Sequence, residues 1–295
     1  MISKILSLFG ISRKEVREDG PFELHYKNSQ LKSKGTYKDG EHEGSCESYH
    51  ENGQLESKGI YKDGLKDSVW ETYSDTGQLV FQGVFKAGKP DGLHESFHKN
   101  GQLRDRQTYI DGKSEGPWEF HYKNGELKSR GGYKGGKREG PFEVHYNDGQ
   151  LRSKGFHKND KRDEAYESYF ETGQLESKGH YKEGAKDAEW EEFYGDGQLK
   201  LKGGYKNGAQ DAVWQIFHVN GQLKSTGNYE NSKPEGPFEK YSENGQLSVK
   251  ESYKNGKKDG TYESYDENGK LKSRGIYKYG ELDGPVELYK DGVLQ

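Results

Sequence analysis

Leucines, rings and glycine-marked turns recur along this chain with a fixed beat. From Gly20 the pattern repeats every 24 residues, with units opening at Gly20, Gly44, Ser68, Gly92, Gly116, Gly140, Glu164, Ala188, Ala212, Gly236, Gly260 and Gly284. Eleven complete units run without insertion, and a partial twelfth reaches Gln295. Each complete unit carries a leucine in one fixed column, from Leu31 and Leu55 to Leu271, usually with a ring or histidine six residues to either side, as in Tyr49, Leu55 and Tyr61. Short segments with evenly spaced anchors predict strands, not helices. Three or four glycines per unit would break a helical repeat, and a propeller blade needs about 40 residues.

The turns can be typed from their residues. Before each leucine stands a phrase such as Asn52-Gly53-Gln54, with Asp148-Gly149, Thr76-Gly77 and Thr172-Gly173 as variants. Asn-Gly alone suits a two-residue turn with positive φ at both positions. Thr76 and Thr172 oppose that, because a β-branched residue resists positive φ. A three-residue loop with only its glycine left-handed accommodates all of them. That loop sets Tyr49 opposite Leu55 and Glu47 opposite Ser57, with Tyr61 on the same side. Glu56, Lys58 and Lys62 then fall on the other, solvated side. Gly59 and its counterparts leave room for a ring from a neighbouring strand.

Each unit is thus one hairpin, and a hairpin needs neighbours to be stable. The expected fold is all-β: an elongated, twisted antiparallel β-meander of tandem 24-residue β-hairpin repeats over residues 20–295. Residues 1–19 form a separate N-terminal segment. Each hairpin supplies the packing its neighbour lacks.

Composition fits this thin architecture. Only 28% of the 295 residues are hydrophobic and 33% are charged, with a mean hydropathy of −1.26. Such polarity taken alone indicates disorder. A net charge of only −4, 22 tyrosines, and 42 glycines against 7 prolines oppose that reading. Cys46 is the sole cysteine, which excludes an intrachain disulfide and a cysteine zinc site. Balanced charge argues against nucleic acid as a partner. No apolar run approaches the ~18 residues that cross a membrane.

The stretch GPWEFHYKNGELKSRGGYKGGKREG, Gly116 to Gly140, resembles the MORN repeat, specifically its bacterial variant. Several units depart from the pattern: Cys46 and His94 replace the first aromatic, Asp160 replaces a turn glycine, and Gln107 and Glu251 replace the strand glycine. These are expected to be local irregularities. The resemblance implies a hairpin array used for protein or membrane association, and many bacterial members are labelled antitoxin components of toxin–antitoxin systems.

Candidate chemistry is repetitive. A glutamate recurs from Glu23 and Glu47 to Glu287 with Gln215 as the exception, and a second acid such as Glu43 or Asp67 closes every complete unit. They read either as a ladder of cation sites or as cross-strand partners of Lys and Arg that also fix turns. The second reading is preferred, since a catalytic group occurs once and these occur throughout. His94, His145 and His157 stand in ring columns as aromatic substitutes. No catalytic, cofactor-binding or metal-binding residue is assigned. Trp70, Trp118, Trp190 and Trp214 share one column. They either pack on adjacent hairpins or offer contact area to a protein partner, for which such rings are suited.

The opening MISKILSLFGISRKEV has Ile2, Ile5, Leu6 and Phe9 at helical spacing, and Ser12 to Glu15 can form a capping box. It reads as a cover for the first hairpin's edge, as an amphipathic membrane or partner contact, or as a cleaved leader. The functional expectation is a cytoplasmic, non-enzymatic scaffold without cofactor that binds a protein partner, in an antitoxin-like manner. The alternative is a membrane-associated module that uses residues 1–19 and the lysine face.

Overall fold

Asn52 and Gly53 show how the local chemistry builds the hairpin. The His50 N–H donates to the Gln54 carbonyl at 2.8 Å, and the Gly53 N–H donates to the His50 carbonyl at 2.8 Å. Glu51, Asn52 and Gly53 therefore form a three-residue loop. Gly53 has φ 83°, whereas Thr76 and Thr172 keep negative φ in their own loops. The expected loop is the observed one, and it sets Tyr49 opposite Leu55.

One step further the expected register fails. Ser48, not Glu47, lies opposite Ser57, and Glu47 lies opposite Lys58. Glu56 is an extra residue, a β-bulge that slips the pairing by one. The same slip recurs beside Leu31, Leu79 and Leu271. A one-residue slip changes which side chains share a face. Tyr49 and Leu55 join Glu47 and Lys58 on one face, while Ser57, Gly59 and Tyr61 occupy the other. The two ring columns thus stand on opposite sides of the sheet.

The hairpins are joined by a second kind of turn. Asp63 (φ 51°) and Gly64 (φ 73°) lie between the paired residues Lys62 and Leu65. This is a type I′ turn, whose twist suits antiparallel strands. At Asn159-Asp160 the glycine is missing. Asp160 still adopts φ 69°, and its Oδ1 accepts the Arg138 N–H at 2.9 Å. The irregularity is local, as the sequence implied.

The computed structural model describes residues 17–295, so residues 1–16 of the expected N-terminal segment lie outside the described residues. The chain divides into two compact units, one ending at Gly136 and one beginning at Lys137. Each is an antiparallel meander, and no helix occurs among the described residues. The first unit runs through ten strands from Gly20–His25 to Leu127–Lys134. The second continues from Lys137–Arg138 to Val293–Leu294 and splits some long strands, as in Ala209–Gln210 and Ala212–Phe217. The split falls at the acid that closes the repeat, just before an opening residue that is left-handed even where it is not glycine: Ser68 at φ 64°, Glu164 at 64°, Ala188 at 59° and Ala212 at 78°.

That left-handed residue bulges the strand and swings the following ring across its neighbour. Trp70 lies over Gly59, where a Cβ would fall well inside van der Waals contact with the indole. The Trp70 Nε1–H donates to the Ile60 carbonyl at 3.0 Å. The glycine slot expected from the sequence is therefore filled. Burying about 150–250 Å² of ring at ~25 cal/mol/Å² is worth roughly 4–6 kcal/mol before entropy, so a few rings can replace a bulky aliphatic core. Gly59→Ala should accordingly cost about 1–3 kcal/mol through overpacking. An unchanged urea midpoint for that variant would refute the slot.

Candidate functional site

The two faces differ in kind. On the ring face the aromatics form ladders: Tyr181, Trp190, Tyr205, Trp214, Tyr229, Phe238 and Tyr253 follow one another with centroids 5.1–6.3 Å apart, mostly edge to face. Cations cap some of the rings, with Lys186 Nζ 3.9 Å from the Trp190 centroid and Lys66 Nζ 4.3 Å from that of Trp70. Burial and the Arg138 and Arg162 charges push the His157 imidazole down to about 4, so it is a neutral ring beside Phe142.

This arrangement decides the tryptophan column. Trp70, Trp190 and Trp214 are only 4%, 2% and 6% exposed. Their rings are spent on neighbouring hairpins and present no surface. Trp118 is half-buried, because Gln107 occupies its glycine slot. Gln107 Nε2–H donates to the Thr108 carbonyl at 2.8 Å, the equivalent of the acceptor used by Trp70, and the Trp118 Nε1–H is left without a partner.

The second break in the glycine column is Glu251, which is 2% exposed. Lys240 Nζ lies 2.8 Å from its Oε1, Lys258 Nζ lies 2.8 Å from its Oε2, and the Tyr253 hydroxyl donates at 3.0 Å. Burial would raise this carboxyl, but the two lysines and the phenol outweigh it and hold the group below its ordinary range. Burial and the glutamate together push Tyr253 up to about 12.

The outer face carries a charge ladder. In the first unit Glu23, Lys34, Glu47, Lys58 and Glu71 lie opposite one another in succession. Lys34 meets Glu47 at 2.9 Å and Lys58 meets Glu71 at 2.7 Å. Tyrosines join these pairs: Tyr49 donates to Glu47, and Tyr73 donates to Glu71 at 2.6 Å. The Tyr49 hydroxyl and Lys34 hold the Glu47 carboxyl below its usual range, and burial and the Glu263 carboxylate push Tyr265 up to about 12.

The closing acids do separate work. Glu43 accepts the Asp63 N–H at 2.9 Å and Asp163 accepts the Glu183 N–H at 3.0 Å, each reaching 20 residues forward to the next type I′ turn. At the other edge, Asn52 Nδ2–H donates to the Asp75 carbonyl at 2.6 Å and the Tyr26 hydroxyl to the Tyr49 carbonyl at 2.7 Å, 23 residues forward. Of the two readings of the acids, pairing and turn fixing is the one observed. Among the described residues no group of three or more His, Cys, Asp or Glu has metal-holding geometry.

Beside the ladder run shallow open grooves. One of about 240 Å³ is lined by Pro21, Glu23, Lys34, Thr36, Ser45 and Glu47, and the next, of about 320 Å³, by Ser45, Glu47, Lys58, Ile60, Val69 and Glu71. Ile60, Val69 and Leu93 are 42–43% exposed on this face. It is the candidate functional surface. Sequence reasoning passed over these positions because their two columns vary from unit to unit, although Val69, Leu93 and Val213 are conspicuous in a column filled mostly by prolines and small residues. No helix among the described residues is long and apolar enough to cross a membrane.

No curated protein matches the chain. Solved structures with local likeness include the TcdB2–TccC3 complex (11% identity, TM-score 0.20, 93% of this chain and 17% of that one). The Tc holotoxin pore of Photorhabdus luminescens is another (12% identity, TM-score 0.21, 88% and 16%). The chain thus spans less than a fifth of those chains. The family described as MORN repeat variant matches residues 18–39, 43–63, 90–111, 114–134, 138–159, 165–183, 186–207, 210–231, 234–255 and 258–279. The hairpin of Leu65–Tyr73 and Leu79–Lys86 falls between matched stretches yet has the same pairing and the same bulge. With most of its length matched in this repeating register, the chain belongs to the MORN repeat variant family.

Proposed function

We propose that this repeat scaffold is non-enzymatic and binds a protein partner through its outer face, and that neutralising a toxin-like partner is the form such binding takes. The observation that carries the reading is the row of exposed Ile60, Val69 and Leu93 beside a ladder whose charges are paired within the sheet. A surface with apolar centres and a neutral polar border suits a protein interface. Nucleic acid or an anionic bilayer would call for uncompensated positive charge. The ionisable groups recur from hairpin to hairpin in structural roles, which favours binding over catalysis.

Capture from native lysate should return one stoichiometric protein, and Leu93→Glu should abolish its recovery without unfolding the array. Flotation with anionic vesicles should recover no protein. Failure to capture any partner, capture insensitive to Leu93→Glu, or flotation with the vesicles would each defeat the proposal.

A further inference from the structure

The widest of the described grooves lies in the second unit, where the repeat is broken at one residue. It measures about 800 Å³ and is lined by Glu189, Lys202, Gly204, Asp211, Val213 and Gln215, among others. Its breadth follows from Gly204, which with Gly132 is one of two glycines in a column that elsewhere carries side chains such as Thr36 or Ile60. A Cβ at Gly204 would sit 2.5 Å from the Asp211 carbonyl oxygen, so the close approach of the backbones keeps the position empty. The Asp211 N–H donates to the Gly204 carbonyl at 2.9 Å and fixes that approach. Val213, on the wall, is 56% exposed.

Asp187 on this groove caps the Asn207 N–H at 3.3 Å, but among the described residues three other lining charges lack a partner. Lys154 meets Glu167 at 2.9 Å and Lys178 meets Glu191 at 2.8 Å, each pairing with the glutamate of the following hairpin. Lys202 lies opposite Glu191 and Gln215. The first is already held by Lys178, and the second is the exception in the glutamate column. Among the described residues the Lys202 ammonium makes neither an ion pair nor a hydrogen bond. The Asp211 carboxylate caps no turn, unlike those of Glu43 and Asp163, and Glu189 is in no ion pair.

We infer that this groove receives an extended segment of the protein partner whose acidic side chain pairs with Lys202, supplying in trans the carboxylate that Gln215 lacks. The stem of that acid covers Val213, and a basic residue two positions along the segment, on the same side, faces Glu189 and Asp211. This inference rests on the protein-binding reading. Charge complementarity selects the occupant, because the missing group is a carboxylate at a position where every other unit provides one in cis.

The test uses the full chain and the peptide acetyl-Val-Glu-Val-Lys-Val-amide, followed by amide shifts in 15N NMR at 50 mM salt. The expected result is saturable shifts confined to Gly203, Gly204 and Val213. Affinity should fall at least tenfold in Lys202→Ala, in Gln215→Glu, and with the peptide's glutamate changed to glutamine. Gln215→Glu restores the cis pair and keeps the fold, so its loss cannot be ascribed to unfolding. Lys154→Ala, which breaks an equivalent pair away from the groove, should leave affinity unchanged. No saturable shift, similar shifts in the grooves of other hairpins, unaltered affinity in Gln215→Glu, or displacement of the peptide by equimolar inorganic phosphate would each overturn the inference. If the peptide test fails while a Leu93-dependent partner is still captured from lysate, only this inference falls. If no partner is captured, the protein-binding reading falls with it.

Discussion

Replacing Trp190 with alanine is expected to remove about 3–5 kcal/mol of stability, the range for deleting a buried aromatic. Trp190 is 2% exposed, its Nε1–H donates to the His180 carbonyl at 3.1 Å, and its ring meets Tyr181 at 5.3 Å and Tyr205 at 6.2 Å. The loss should be concentrated in its own hairpin and the two beside it, because an array of this kind is stabilised by nearest neighbours. Hydrogen exchange over residues 175–206 reads this directly, alongside the urea transition. Trp118→Ala should cost clearly less, since that ring is half-buried and its N–H is unpartnered. Gln107→Gly, which reopens the slot, should raise stability and shift Trp118 fluorescence to the blue. Equal losses for Trp190→Ala and Trp118→Ala would contradict the slot account.

The second large effect is expected at Glu251. Removing one member of a buried ion pair costs about 3–5 kcal/mol. Here the lysines Lys240 and Lys258 are 51% and 33% exposed and can turn toward water, so about 2 kcal/mol is expected for Glu251→Gln after that discount. The effect depends on pH with a definite sign. The folded carboxyl titrates below its ordinary 4.5, so its contribution is complete above 4.5 and is lost as pH falls through the folded value. Native protein and Glu251→Gln should therefore differ most at pH 7 and converge in acid. A stability gap that is the same at pH 7 and pH 3 would rule out the ion-pair account.

Much of this architecture could be read from residue types, and the reason is specific at each position. The three-residue loop was legible because threonine at Thr76 and Thr172 excludes positive φ. The ring slot was legible because only glycine at Gly59 leaves the space Trp70 needs. The acid columns were legible because a group that recurs in every unit has a structural duty. The bulge was not legible. Its extra residue is Lys32, Glu56, Val80 or Ser248, side chains with no chemistry in common, so the column carries no signal. That single silent position misassigned the face of Tyr49. The tryptophans misled in another way, since rings suited to an interface are equally suited to a buried ladder, and only the swing of the strand at Ser68 or Ala188 separates the two. The candidate surface was missed because its residues vary, and the groove at Gly204 because it is made by an absence of side chains.

The bonds that join successive hairpins reach forward by 20 residues at one edge and 23 at the other. Gain or loss of a whole 24-residue block in the coding sequence therefore recreates both at the new junction, whereas a block of any other size strands donors and acceptors alike. Recombination can lengthen or shorten the molecule in quanta of one hairpin, and its reach can evolve independently of its stability.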